Sequence, residues 1–230
     1  MKTIGVMQPY IFPYIGYFQL INATDEFIIY DDVNFINKGW INRNTILING
    51  EKSNINISLS GASQNKLINE LSISDDFTKF LKTIKMAYGK APYFDEIYER
   101  IISICNFNDK NVSRFLINSI KEVCEYLNID SSFEISSNIA KDNSLKGQSK
   151  IINICKTVNA DRYINPIGGI ELYDKNVFDS SGIELKFIKS HFKEYKQFKN
   201  NFIEGLSIID VLMFNSVQVT QELLTEYELI

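Results

Sequence analysis

The sequence contains few of the residues that most often carry catalysis or hold metals. Its 230 residues include three cysteines, one histidine and one tryptophan. Cys105, Cys124 and Cys155 are far apart and odd in number, so they match neither a disulfide framework nor a metal-binding pattern. We expect these thiols to be reduced and packed in the interior. A single histidine also disfavours a Ser-His-Asp or Cys-His mechanism.

Several signals of class and location are missing as well. No Walker A, GxGxxG, HExxH or EF-hand pattern occurs, so the sequence indicates no metal and leaves any cofactor unknown. No apolar run approaches the roughly 20 residues that a membrane-spanning helix needs. The N-terminal MKTIGVMQPY lacks the apolar region and cleavage site of a signal peptide. We therefore expect a cytoplasmic protein with no membrane span.

The charge excludes another class of partner. A net charge of -4 with scattered lysines does not provide the broad basic surface that nucleic-acid binding requires. The hydrophobic fraction of 45% is typical of a folded globular chain rather than a disordered one. The remaining expectation is a small-molecule ligand, and the sequence is compatible with a homo-oligomer.

The hydrophobic pattern predicts an α/β fold. TIGVM and EFIIYDDV are typical of buried strands, and the amphipathic IGYFQLINA between them predicts a helix, which gives one βαβ unit. TILING and EKSNINISL alternate around Asn49-Gly50, the pattern of a β-hairpin. Three helices are then predicted between about residues 75 and 130. Since no linker divides the chain, we expect residues 1–230 to form one domain with a helical insertion at about 75–130.

The α/β alternation resumes after this block. FEISSNI, DRYINP and IELKFI predict strands, SKIINICKTVN predicts a helix, and GGIELYDKNVFDSS predicts a helix that starts at its glycines. LSIIDVLMFNSVQVTQELL predicts one broken helix or two consecutive ones. The expected fold is a Rossmann-like, mostly parallel sheet with a β-hairpin and a helical insertion.

The first candidate segment, MQPYIFPYIGY, follows the first strand directly. Its predicted ligand-binding residues are Gln8, Pro9, Tyr10, Tyr14, Gly16 and Tyr17. A glycine inside the next helix costs about 1 kcal/mol relative to alanine, which indicates that something approaches it closely. One alternative is a ligand with a phosphate at the helix N-terminus. The other is a tight contact between helix and strand, with the tyrosines in the core.

The second candidate segment, DDVNFINKGWINRN, follows the second strand. Its candidates are Asp31, Asp32, Trp40, Asn42, Arg43 and Asn44. A carboxylate pair at a strand end can bind a metal, orient a ribose or act as a base, or it can cap a turn or lie in a solvated loop. Arginine is rare in this chain, and the planar guanidinium of Arg43 matches phosphate or carboxylate. Ligands of α/β sheets bind beyond the carboxyl ends of the strands, so we expect the segments there to converge on one cavity.

The third candidate segment, YINPIGGIELYD, contributes Asn165, Gly168 and Gly169, as an anion cradle or as a turn that needs glycine. His191 follows the last predicted strand and is the one unperturbed near-neutral base available, although its lysine-rich surroundings favour a surface position. KGQSK at Lys146 to Lys150 opens a helix, where a solvated start is favoured over a phosphate site.

Taken together, the first two segments, ADRYINPIGGIELYD and LSIIDVLMFN resemble the WbqC-like protein family along nearly the whole chain. That family is associated with bacterial O-antigen and other surface-polysaccharide gene clusters, which implies work on nucleotide-linked sugars. PYIGY also resembles, more distantly, the His-x-Gly-His element of the HIGH superfamily of nucleotidyl transferases and ligases. In that comparison Gly16 matches the glycine, and Tyr14 and Tyr17 stand at the histidine positions.

Three functions follow from these observations. The leading hypothesis is a transferase that forms an amide on a nucleotide-linked amino sugar by moving an acyl or aminoacyl group, with Asp32, Arg43, Tyr14 and His191 as candidate catalytic residues. The HIGH-type resemblance implies an ATP-dependent ligase or nucleotidyl transferase instead. The lack of a strong nucleophile is compatible with a non-catalytic protein that binds sugar nucleotides.

Overall fold

The computed structural model describes residues 1–230, with a six-stranded sheet at the centre. The ten strands are β1 (Thr3–Met7), β2 (Glu26–Ile29), β3 (Arg43–Ile48), β4 (Glu51–Asn56), β5 (Leu59–Ser60), β6 (Ser72–Ile73), β7 (Ser132–Ile135), β8 (Arg162–Pro166), β9 (Glu184–Ser190) and β10 (Tyr227–Leu229). The central sheet has the order β10-β9-β8-β1-β2-β7, and only β10 runs antiparallel to its neighbour. The predicted Rossmann-like, mostly parallel sheet is confirmed.

After β1 the chain first adds strands on one side of β1 and later adds strands on its other side. β1 pairs with β2, and much later β8 pairs with the free edge of β1 and is followed by β9. In open α/β sheets, such a reversal opens a crevice at the carboxyl ends of the strands where ligands bind. β1 ends at Met7 because the following Gln8-Pro9 cannot continue the ladder.

Eight helices cover the two faces of the sheet. They are α1 (Ile15–Asn22), α2 (Thr78–Tyr88), α3 (Phe94–Cys105), α4 (Val112–Tyr126), α5 (Gly147–Thr157), α6 (Lys175–Ser180), α7 (Ile208–Phe214) and α8 (Val217–Leu223). The larger apolar core holds α1, α2, α3, α4 and α7, whereas α5 and α6 pack on the opposite face in a smaller core. The three cysteines are free and buried, as expected. None of these helices has the length and apolar character needed to cross a lipid bilayer.

The β-hairpin forms where the sequence predicts it. β3 and β4 pair antiparallel, and the turn residues Asn49 and Gly50 both have positive φ, 53° and 82°. Two-residue hairpin turns require such angles, which Asn-Gly adopts readily. The hairpin side chains Ile46, Leu47 and Ile55 join the larger core.

Three elements differ from the sequence prediction. The chain after Pro166 forms a 3-10 turn, Ile167–Leu172, and α6 starts later, at Lys175. The predicted single helix starting at the glycines is therefore wrong, because the turn ends in extended backbone at Tyr173 and Asp174 caps a separate helix by accepting from Asn176 N. The short strands β6 and β10 were not predicted, since two or three residues are too few to show a period.

A buried carboxylate, that of Asp210, joins α2 to the C-terminal part of the chain. Asp210 on α7 accepts hydrogen bonds from Tyr88 Oη at 2.9 Å, Tyr195 Oη at 2.7 Å and Gln197 Nε2 at 2.6 Å. Burial raises the pKa of Asp210, although the three donors oppose that shift. This network fixes the segment after β9 against α2 and α7, and that segment forms one wall of the cavity described below.

Candidate functional site

The carboxyl ends of five parallel strands form one edge of the sheet. The loops that follow β1, β2, β7, β8 and β9 all emerge there, and we call this the carboxyl edge. All three candidate segments and His191 lie on these loops or directly after them. A binding site is therefore expected at this edge.

A cavity of about 440 Å³ opens at the carboxyl edge, on the α1 side of the sheet. Seven of its eleven lining residues are hydrophobic. The lining residues are Met7, Gln8, Tyr10, Tyr14, Ile36, Gly39, Trp40, Ile41, Asn44, Phe192 and Gly205. We call it the aromatic cavity, since four of its walls are aromatic rings. Its size and apolar lining with a few polar groups are typical of small-molecule sites.

The loop after β1 is held in place by buried polar groups. Asn44 donates from Nδ2 to the carbonyl oxygens of Ile11 at 3.0 Å and Phe12 at 2.6 Å, and Ser207 Oγ donates to Phe12 O at 2.8 Å. Phe12 has a positive φ of 41°, an uncommon conformation for a bulky side chain. Asn44 therefore lines the cavity while its amide nitrogen is already used by the protein.

The three tyrosines of the first segment occupy different environments. Tyr17 is buried and donates to Gln8 O at 3.2 Å, so its hydroxyl does not face the aromatic cavity. Tyr10 and Tyr14 do line it, and Tyr10 Oη accepts a hydrogen bond from Tyr14 N at 3.3 Å. Burial raises the pKa of both phenols. At neutral pH they are hydrogen-bonding groups and not bases.

The close approach to Gly16 comes from the protein itself. A Cβ atom at Gly16 would overlap the ring of Tyr14 and lie 2.6 Å from Ser190 Oγ. Gly16 thus allows α1 to pack against β9 while the ring of Tyr14 folds back over the helix toward the aromatic cavity. The contact between helix and strand explains the glycine, and Pro9 and Gly16 are buried beneath the cavity rather than exposed in it.

Some residues of the second segment, such as Trp40, line the aromatic cavity, and others, such as Arg43, do not. Trp40 lines the aromatic cavity and remains 55% exposed at its mouth. The Arg43 guanidinium lies 5.7 Å from the Trp40 ring and donates to Lys38 O, but Arg43 does not line the cavity. Arg43 Nε is buried without a partner, and no carboxylate pairs with this arginine. Asn42 donates from Nδ2 to Ile57 O at 2.8 Å, which directs it toward the chain after β4.

The adjacent carboxylates Asp31 and Asp32 point to different neighbourhoods. Asp31 is buried and accepts from Asn69 Nδ2 at 3.3 Å, Ser113 Oγ at 3.2 Å, and Ser137 N and Oγ at 3.0 and 2.9 Å. These donors belong to the chain around β6, to α4 and to the loop after β7. Asp31 therefore joins three parts of the fold, beside a polar cavity of about 300 Å³.

Asp32 belongs to an ionic cluster on the α5 side. Its Oδ2 pairs with Lys141 Nζ at 2.9 Å and Lys150 Nζ at 3.1 Å, and its Oδ1 accepts from Ser136 Oγ at 2.6 Å. Burial alone would raise the pKa of Asp32, but the hydrogen bonds from Ser136, Lys141 and Lys150 outweigh it and hold that pKa below its usual value. An ionised carboxylate of this kind is a weak base at neutral pH, which favours a positioning role over proton abstraction.

The third segment does not reach the aromatic cavity. Asn165 is buried, accepts from Tyr163 Oη at 2.9 Å and donates to Pro166 O at 3.0 Å. Its amide covers Gly169, whereas nothing lies within 4 Å of a Cβ built at Gly168. The convergence of all three segments on one cavity is wrong in this respect. β8 carries its loop to the other flank of β1, beside α5 and α6.

His191 and Phe192 follow β9. The His191 ring is 3.8 Å from Glu228 Oε1, about half exposed, and does not line the aromatic cavity, whereas Phe192 does. The ring centroids of Phe192 and Tyr14 are 6.3 Å apart. Sequence reasoning missed Phe192 and also Lys141, whose position beside Asp32 depends on a loop path that no local pattern reveals.

Fold and site together define a Rossmann-like α/β protein with an aromatic cavity at the carboxyl edge of its sheet. The sequence profile of the WbqC-like protein family matches residues 8–222, and the chain belongs to this family. An uncharacterized protein of Mycobacterium tuberculosis, Rv1507c, is similar to it, with 27% identity over 221 residues that cover 94% of each chain. No solved structure matches this chain.

Substituting Gly16 tests the packing that brings Tyr14 over α1. In Gly16→Ala, overpacking of about 1–3 kcal/mol outweighs the gain of about 1 kcal/mol from alanine in a helix. We expect the free energy of unfolding to fall by about 1 kcal/mol in denaturant titrations. Gly168→Ala is the control, because open space surrounds that position. A stabilised Gly16→Ala would contradict this packing.

The ionic cluster predicts a pH dependence. Because the folded-state pKa of Asp32 is lowered, its contribution is present above the unfolded value of about 3.9 and is lost as pH falls through the lower folded value. Asp32→Asn leaves two buried lysines without a counter-charge, so we expect a loss of about 3–5 kcal/mol at pH 7. Urea denaturation of both proteins should show this difference shrinking below about pH 4. A difference that is constant down to pH 2 would contradict the ionic role.

Proposed function

We propose that this protein is a cytoplasmic transferase that forms an amide on a nucleotide-linked amino sugar in surface-glycan biosynthesis. The acyl or aminoacyl group comes from an activated donor. The aromatic cavity is the observation that carries the proposal. Its walls are aromatic rings, and the side-chain amide of Gln8 is a free polar group among them. It also lies at the edge of the sheet where α/β proteins bind ligands.

The cavity suits the sugar end of such a ligand. Tyr14, Trp40 and Phe192 offer faces against which a sugar ring packs, as aromatic side chains supply large apolar contact areas. The side-chain amide of Gln8 makes no hydrogen bond within the protein and is available to hydroxyl or acylamino groups of the ligand. Asn44 keeps the wall rigid instead, because its amide is bonded to the backbone.

The charged end of either substrate has a partner beside the cavity. Arg43 carries a positive charge that no carboxylate neutralises, and its guanidinium lies 5.7 Å from the Trp40 ring. A guanidinium binds carboxylate or phosphate through paired hydrogen bonds. We assign Arg43 to the carboxylate or phosphate of a substrate at the mouth of the cavity, after a small rearrangement of the Trp40 loop.

Amide formation needs the acceptor amine to lose a proton as the acyl carbon is attacked. Tyr10 and Tyr14 keep their protons at neutral pH, so they donate hydrogen bonds to the acyl oxygen as negative charge develops on it. Asp32 has a structural role at the carboxyl edge, through its ion pairs with Lys141 and Lys150. His191 does not line the cavity, but it directly precedes the cavity-lining Phe192, and we assign it to accept the proton of the amine through one intervening water.

A second candidate, a non-catalytic protein that binds sugar nucleotides, is favoured by one observation. The hydroxyls in the cavity are phenols with raised pKa values, and Asp32 is held as an ion by lysines, so a strong base or nucleophile is missing from the cavity walls. The ligase hypothesis has weaker support, because Tyr17 is buried and its hydroxyl donates to Gln8 O.

Trp40 provides a direct test, since it is the single tryptophan and lines the cavity. Adding a UDP-linked amino sugar should change the intrinsic fluorescence in a saturable manner. Tyr14→Ala and Phe192→Ala should each weaken binding about tenfold, as expected for a loss of about 1.4 kcal/mol of apolar contact. Leu172→Ala, on an exposed position away from the cavity, is the control.

Turnover separates the two candidates. With an acyl-thioester donor, the wild type should release thiol and form the amide, and His191→Asn should lose turnover while its Trp40 titration is unchanged. Saturable binding with no turnover by any acyl donor would instead support the binding protein. If a panel of nucleotide-linked amino sugars leaves the fluorescence unchanged, the aromatic cavity is not their site.

A further inference from the structure

A second polar site lies on the α5 side of the carboxyl edge. Four residues form it: Asp32 after β2, Ser136 after β7, Lys141 in the following loop and Lys150 in the first turns of α5. We propose that this lysine cluster binds the phosphoryl groups of an anionic ligand. The proposal deepens the proposed function, since the ligand class with both a sugar ring and phosphates is the nucleotide-linked sugar.

The two lysines share one carboxylate oxygen. Lys141 Nζ and Lys150 Nζ lie 2.9 Å and 3.1 Å from Asp32 Oδ2, so the ammonium groups are at most about 6 Å apart. Their other acceptors are neutral: Ser136 O for Lys141 and Asp32 O, at 3.3 Å, for Lys150. Since an ammonium group has three donors, each lysine retains one for a further acceptor.

The cluster carries more positive than negative charge. The side chains of Lys141, Lys150 and Asp32 are only 1%, 8% and 10% exposed. Asp32 is the one carboxylate within ion-pair distance of either lysine. The next acid along the chain, Asp142, is exposed and accepts from Ser144. A buried charge without a counter-ion is costly, and two ammonium groups this close repel each other.

The remaining neighbours do not compensate this charge. Lys150 Nζ lies 5.1 Å from the centroid of the Tyr30 ring, an interaction that stabilises the cation but adds no negative charge. Burial, with smaller contributions from Asp32 and Tyr173, raises the pKa of Tyr30 to about 12, so the phenol is neutral. An external anion is therefore the missing partner.

The start of α5 adds to the positive potential. This helix of eleven residues has no acidic residue in its first turn and no side-chain cap at Lys146. Lys146, Gly147 and Ser149 are exposed there, so the start of the helix faces solvent. Anions bind favourably at helix N-termini, whereas lysines there are unfavourable unless an anion is present.

The third segment borders the same place. Gln148 Oε1, in the first turn of α5, accepts from Asp174 N at 2.5 Å, which ties the chain after β8 to the start of the helix. β1, whose end lines the aromatic cavity, pairs with β2, whose end carries Asp32. The two sites thus lie at the ends of neighbouring strands, and the proposal places the ring of the ligand in the aromatic cavity and its phosphates at the lysine cluster.

Inorganic pyrophosphate is the probe for this site. Calorimetry should give saturable binding, and thermal unfolding should shift upward against potassium chloride of matched ionic strength. Lys150→Met and Lys141→Met should each weaken pyrophosphate binding about tenfold or more, as expected for one charged hydrogen bond. Lys156→Met, an exposed lysine in the last turn of the same helix, should bind as the wild type does.

The stability without pyrophosphate gives a second measurement. Each substitution leaves one lysine for one carboxylate, so Lys150→Met and Lys141→Met should unfold at a temperature equal to or above that of the wild type. Lysines that serve only to hold the fold would give the opposite result. No saturable binding of pyrophosphate, or an equal loss in Lys156→Met, would also overturn the proposal.

The two proposals fail in different ways. If pyrophosphate binds through Lys150 but nucleotide-linked amino sugars leave Trp40 unchanged, the phosphoryl site stands and the proposed function does not. If the sugar nucleotides change Trp40 fluorescence equally in the wild type and Lys150→Met, the aromatic cavity stands and the phosphoryl site is overturned.

Discussion

The cavity depends on two buried side chains that hold the carbonyl groups of one loop. Asn44, at the start of the hairpin, and Ser207, at the start of α7, both donate to Phe12 O. They join the loop after β1 to two distant parts of the chain and hold Phe12 at a positive φ. Buried carbonyls without donors are costly, so this arrangement over-determines the loop. The loop that carries Tyr10 and Tyr14 is therefore held in place by the protein itself.

Two adjacent carboxylates, Asp31 and Asp32, have different roles at the carboxyl edge. The two side chains point to different sides of the edge: Asp31 faces α4 and Asp32 faces α5. Neutral donors surround Asp31, whereas lysines surround Asp32. The first carboxylate therefore joins parts of the fold, and the second leaves an excess of positive charge at the edge. In the proposed function, the apolar and charged ends of the ligand accordingly bind at separate places.

The sequence predicts the sheet and its helices well, because their signals are local. Hydrophobic periods, Asn49-Gly50, the prolines after β1 and Pro166 at the end of β8 all act within a few residues. The site is harder to predict, because its members meet through the topology. Gly16 correctly indicates a close approach, but only the structure identifies Tyr14 and Ser190 as the approaching groups. Arg43 lies beside the cavity rather than in it, and Lys141 has no sequence signal, since it reaches Asp32 from a loop more than a hundred residues away.

A crystal structure with a bound UDP-linked amino sugar tests the central claim most directly, since it locates both ends of the ligand at the carboxyl edge. The account predicts the sugar ring among Tyr14, Trp40 and Phe192, with the diphosphate within hydrogen-bond distance of Lys141 or Lys150. A ligand bound away from the carboxyl edge, or one whose phosphates avoid both lysines while its sugar lies outside the aromatic cavity, would contradict it.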